Sequence, residues 1–138
     1  MKQMLLRKRR EGGQSVVEFA LALPLVLLLI CGMVELGWLA SSRQVLDTMT
    51  REGTRAGIVA ATTTASRTAV TNRVNAVKPG YMKNTVTITV TFSNAASFKD
   101  GDITVATAYD LPPLTPLTEF LTPDGTFHLH STYTMKMG

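Results

Sequence analysis

Hydrophobic and polar positions change pattern three times along the chain. Sixteen residues without a charge run from Phe19 to Val34. Glu35 interrupts the run, and Leu36–Ala40 continue its apolar character through Trp38. A membrane-crossing helix needs about 20 mostly apolar residues. Phe19–Ala40 meets this if Glu35 lies at the far interface, which puts Trp38 where an interfacial aromatic belt sits. A buried helix of a soluble protein fits poorly, because nothing later in the chain is large enough to wrap such a run.

The pattern then becomes amphipathic. Arg43, Asp47, Arg51 and Arg55 recur every four residues and share one helical face. Asp47 is placed to pair with either flanking arginine, and Glu52 with Arg55, each exposed pair contributing about 0.2–0.5 kcal/mol. A solvated face is the ordinary meaning of such a run, and a docking surface for a further subunit or assembly protein is the sharper one. Gly53 and Gly57 favour docking slightly, since each weakens a helix by about 1 kcal/mol relative to Ala yet opens a groove for close helix approach. A helix from Gln14 to about Ala60 is on the order of 70 Å long. Pro24 lies inside it, where proline removes a backbone bond and usually kinks the helix, although membrane helices tolerate it.

Beyond residue 60 the texture shortens. Thr62-Thr63-Thr64 offers N-caps for a second helix over Ala65–Val77, with Ala69 or Val70, Val74 and Val77 on one face, stopped by Pro79-Gly80. Val86, Ile88, Val90 and Phe92 then alternate with threonines as a half-buried strand. A loop, Ser93–Asp102, leads to a second strand, Ile103–Tyr109. The long connection Leu111–Thr126 contains four prolines, and Thr115-Pro116 predicts a short helix to Leu121. Asp124-Gly125 signals a turn before a last strand, Phe127–Lys136, with Phe127, Leu129, Ser131, Tyr133 and Met135 on one face. The fold class is α+β: a long N-terminal transmembrane helix extended outside the membrane, a second helix, and a small antiparallel sheet of about three strands. The core is small for independent stability, so the rear of the anchor helix or a partner subunit is expected to complete it.

Charge sharpens this picture. Of the 138 residues, 14 are Lys or Arg and 10 are Asp or Glu, a formal net charge of +4. Lys2, Arg7, Lys8, Arg9 and Arg10, opposed by Glu11, account for all of that excess, so the rest of the chain is balanced. Nucleic-acid binding needs basic charge spread over a folded surface and is not expected. The basic head before the apolar run predicts a cytoplasmic N-terminus and an exported body. The single cysteine, Cys31, has no intrachain partner and lies in the apolar run, where a thiol acts as a small hydrophobe.

Catalytic chemistry finds little support. His128 and His130 share a strand face, and Asp124 and Glu119 are near in sequence but not at a metal-binding spacing. Lys99-Asp100-Gly101-Asp102 has too few carboxylates for a calcium loop and reads as a plain turn. Neither a phosphate loop nor a nucleophile elbow is present, so no enzyme activity, cofactor or metal is expected.

Three export signals compete. A secretory signal peptide cleaved near Ala40-Ser41-Ser42 has Glu35 and Trp38 in an awkward position, and would release a body starting near Arg43. A lipoprotein signal is rejected because Ile30 precedes Cys31. The third signal is Gly13, then Glu18, Phe19 and an apolar helix, which resembles the class-III signal of type IV pilin-like proteins. That resemblance implies cleavage between Gly13 and Gln14 by a prepilin peptidase, leaving the helix attached. It makes Glu18 the fifth mature residue. A carboxylate there is costly unless interfacial or paired, and the new Gln14 amine, or that of a neighbouring subunit, is the expected partner.

Glu18-Phe19-Ala20, Pro24, Glu35 and Arg51-Glu52-Gly53-x-Arg55-Ala56 are together similar to the TadE-like family of minor pilin-like (pseudopilin) proteins of tight-adherence, or Flp, pili. Thr50 and Thr54 stand where that family usually has Ala. The resemblance is strong over about residues 13–60. It implies a processing site at Gly13 and Gln14 and an assembly role for Glu18, Phe19, Pro24, Glu35, Arg51, Glu52 and Arg55. The implied partners are a prepilin peptidase, a related minor pilin, the major pilin, an inner-membrane assembly platform and the lipid bilayer. The implied organisation is a basic cytoplasmic leader (1–13), a transmembrane and extended pilin-like helix (14–60) and an exported α+β domain (61–138), in the inner membrane and, in one version, in the pilus itself. An alternative from another class is a single-pass, membrane-anchored binding or sensory module with an uncleaved N-terminus and a pocket in the sheet domain.

Overall fold

The structure is a computed structural model that describes residues 2–94, 96–116 and 124–138. Its elements are helix α1 (Lys2–Ile58), helix α2 (Thr63–Val77) and strands β1 (Thr87–Phe92), β2 (Asp102–Leu111) and β3 (Phe127–Lys136). A 3-10 turn, Phe98–Asp100, lies between β1 and β2. The α+β class with three antiparallel strands is as expected.

α1 begins at Lys2 rather than at Gln14. The segment ahead of Gly12-Gly13 is made of Lys, Gln, Met, Leu, Arg and Glu, all good helix formers, so the backbone continues as helix across the two glycines. It also continues through Pro24. The chain divides into two compact units, Met1–Leu36 and Gly37–Gly138. In the first, the apolar residues face outward: Phe19 is 67% exposed and Leu21 74%.

The second unit is a two-layer α+β body built from the C-terminal part of α1, α2 and the sheet. α2 starts where the Thr62 hydroxyl accepts the Ala65 N–H at 3.2 Å. It ends at Val77, with Lys78 extended because Pro79 follows. The strands form a meander in the order β1-β2-β3, with Ile88 opposite Thr107 and Thr107 opposite Ser131. Gly125 precedes β3 at φ +62°, a left-handed conformation that favours glycine. The predicted short helix from Thr115 to Leu121 falls largely on 117–123, outside the described residues.

One face of the sheet is buried. Ile103, Val105, Thr107 and Tyr109 of β2 and Leu129 and Ser131 of β3 meet Leu46 and Met49 of α1 and Val70 and Val74 of α2. The alternation on β2 and β3 matches the sequence reading position by position. The rear of α1 does complete the core. Two threonines fix its depth: the Thr50 and Thr107 hydroxyls share a buried hydrogen bond of 2.6 Å between α1 and β2.

Candidate functional site

The residues singled out by the sequence all lie on α1, in two groups. The first group surrounds the predicted cut. Gly13 is exposed, and nothing lies within 4 Å of where its side chain would project. The Gln14 side-chain amide, through Nε2, donates to the Glu18 carboxylate one turn further on, at 3.2 Å. Position 14 is therefore within polar reach of Glu18 along the same helix face, as the i,i+4 spacing requires. Phe19 and Pro24 are exposed. The stretch Gly13–Ile58 contains a window long and apolar enough to cross a membrane, and none of that window is buried within the chain. Glu35 differs from its neighbours: it is 4% exposed, whereas Met33 is 71% and Leu36 67%. A carboxylate so buried is costly unless it is partnered.

The second group is the outer surface of α1 in the α+β unit. Arg51 is exposed, and its guanidinium stands 5.3 Å from the centre of the Tyr133 ring on β3. Glu52 turns toward α2, where Arg73 donates to it through Nη2 at 2.8 Å and through Nε at 3.3 Å. The hydrogen bond and charge of Arg73 hold the Glu52 carboxyl below the ordinary carboxylate range, and Arg55 adds a smaller pull. Glu52 therefore pairs across two helices rather than with Arg55 along one. The reason is the glycine pair. A Cβ at Gly53 would stand 2.6 Å from Val74 Cγ2, and one at Gly57 2.6 Å from Ile103 Cδ1. The close approach that these glycines permit is made within the chain, to α2 and β2. The Ser66 hydroxyl completes the junction by donating to the Gly57 carbonyl at 2.8 Å.

The Trp38 ring, half-buried, packs with its centre 5.0 Å from that of Tyr81, a neighbour supplied by the α+β unit. His128 and His130 stand on the exposed face of β3 as expected. His128 is held by Asp110 at 2.6 Å, with Asp124 at 3.8 Å. That hydrogen bond and the Asp110 charge raise its pKa above the ordinary 6.5. The sequence reading missed Asp110, since only strand register brings it opposite His128. A groove of about 420 Å³ lies along α1 and the end of α2, lined by Ser41, Gln44, Val45, Thr48, Met49, Val77 and Pro79.

Fold and surface together define the class: an α+β body whose first helix carries an apolar stretch fit to cross a membrane. The family model described as "TadE-like protein" matches residues 13–55, the stretch that holds the motifs similar to that family. Neither a curated protein nor a solved structure matches the chain.

Proposed function

We propose that this protein is a minor pilin-like (pseudopilin) subunit that acts in assembly of a tight-adherence pilus and so supports surface adhesion. The observation that carries this reading is the TadE-like match over residues 13–55, which begins at the Gly13–Gln14 junction and contains Glu18, Phe19, Pro24, Glu35, Arg51, Glu52 and Arg55. On this reading the chain sits in the inner membrane with its N-terminus cytoplasmic, as the basic head favours. A prepilin peptidase cuts after Gly13 and removes the whole excess of positive charge. The apolar helix stays attached and keeps the body at the membrane. Glu18, one turn from the new amine, then pairs with it or with that of a neighbouring pilin subunit, which offsets the desolvation of both groups. Arg51 and Arg55, exposed on α1, are available to a related minor pilin, to the major pilin or to the assembly platform.

The groove beside α1 lies between α1 and the end of α2, so it is not the pocket in the sheet domain by which an anchored sensory module would be recognised.

The test is a Glu18→Ala strain examined for membrane insertion and for surface pili. The protein is expected to remain in the membrane while pilus number falls sharply. Normal piliation in that strain contradicts the pairing role of Glu18.

A further inference from the structure

The outer edge of β3 takes no part in the contacts that build the core. β3 lies at one side of the sheet and is ten residues long. The phase of its hydrogen bonds follows from the contact just beyond it, where the Met137 N–H donates to the Gly101 carbonyl at 2.9 Å. In an antiparallel ladder, bonded pairs recur at every second residue. With Asp102 opposite Lys136, the pairs bonded across β2 and β3 are Ile103–Met135, Val105–Tyr133 and so on. The other side of β2 agrees. There the Ser93 N–H donates to the Asp102 carbonyl at 3.0 Å, which turns the even-numbered residues of β2 toward β1. The N–H and C=O groups of His128, His130, Thr132, Thr134 and Lys136 therefore point away from the sheet. Among the described residues, no backbone bond from a turn or loop reaches them.

Soluble proteins usually blunt such an edge with a short strand, a proline, a bulge or charge along it. β1, at the opposite side, has six residues. β3 has no proline, and its one lysine is at the end. On the α1 side its flank is basic: the exposed Arg51 guanidinium lies beside Tyr133, and Arg43 and Arg55 share that face of α1 with one acid, Asp47; on the opposite face, at the start of the strand, Asp110 and Asp124 stand beside His128.

We propose that the β3 edge accepts an extended segment of another protein as a fourth strand, one whose carboxylates meet the arginines of α1. Main-chain groups supply the affinity in such a pairing, and alternate side chains supply the selection. A second copy of this chain fits less well. Joining two β3 edges brings the Arg51 side chains of both copies to one seam, where like charges oppose pairing. The inference does not rest on the pilus reading, which can fail at the processing site without affecting it.

The test uses the full-length protein in detergent micelles and two ten-residue peptides, one alternating valine with glutamate and the other valine with lysine. Amide exchange is followed residue by residue. The glutamate peptide is expected to slow exchange at His128, His130, Thr132, Thr134 and Lys136 by about tenfold or more, leaving the intervening amides, already bonded to β2, unchanged. The lysine peptide is expected to have no effect, and Arg51→Glu to reverse the preference. Thr132→Pro removes an edge-facing N–H that the ladder does not use, and should abolish the protection. If that variant does not fold, the exposed Arg51→Glu carries the test. Equal protection by both peptides, or by neither, overturns the proposal. So does edge protection that grows with protein concentration without peptide, which assigns the edge to a second copy.

Discussion

Gly57 sits where α1, α2 and β2 come closest. An added methyl there would stand 2.6 Å from Ile103 Cδ1, 2.8 Å from Val70 Cγ2 and 3.0 Å from the Ser66 hydroxyl. Alanine would raise helix propensity by about 1 kcal/mol, but overpacking a tight junction typically costs about 1–3 kcal/mol. With three neighbours to displace at once, the clash should win. Gly57→Ala is expected to lower the melting temperature of the α+β unit by circular dichroism, and an unchanged or higher value would show that the junction relaxes freely. His128 makes a pH-dependent contribution. Its folded pKa lies above 6.5, so the stabilisation from Asp110 is complete below about 6.5 and is lost as pH rises through the folded value. Both groups are exposed, so the effect on stability is small. An NMR titration should show the His128 midpoint above 6.5 and its return toward 6.5 in Asp110→Asn; an unchanged midpoint in that variant contradicts the assignment.

Local sequence signals place the elements well wherever local chemistry decides them. β3 was legible over its full length because period two runs unbroken from Phe127 to Lys136. α2 was legible because a threonine cap precedes it and Pro79 follows it. Replacing that cap, Thr62→Ala, should cost about 0.5–2 kcal/mol, measurable as a lower chemical denaturation midpoint; no change would mean that Thr63 or Thr64 takes over the cap. What the sequence did not show were the partners set by tertiary packing. Glu52 has Arg55 three residues away, but Arg73 of α2 reaches it because Gly53 and Gly57 let the helices approach. Thr50 reads as a small replacement for alanine, yet its hydroxyl meets Thr107 of β2. Trp38, read as a lipid-interface residue, has Tyr81 as its neighbour, a contact that no periodicity encodes.

The molecule as a whole joins an apolar helix with outward-facing side chains to a body that can bury its own core. Secretory processing would separate the two and leave a body beginning near Arg43. Pilin-type processing would keep both and discard only the basic head before Gln14. On that reading the Glu18 carboxylate, which the Gln14 side-chain amide reaches across one helical turn, would lie near the new amine. The body starts within α1, at Gly37, so a cut near Arg43 would fall inside it and remove Trp38 and Ser42 from their buried or packed positions. Gly13 stands exposed, and a bulky residue there should block the peptidase without disturbing the fold. The most direct measurement is the N-terminus of the mature protein, by mass spectrometry of the membrane fraction of cells that express it. A chain beginning at Gln14 is the predicted result. A chain beginning at Met1 in the membrane, or near Arg43 in the soluble fraction, contradicts the account.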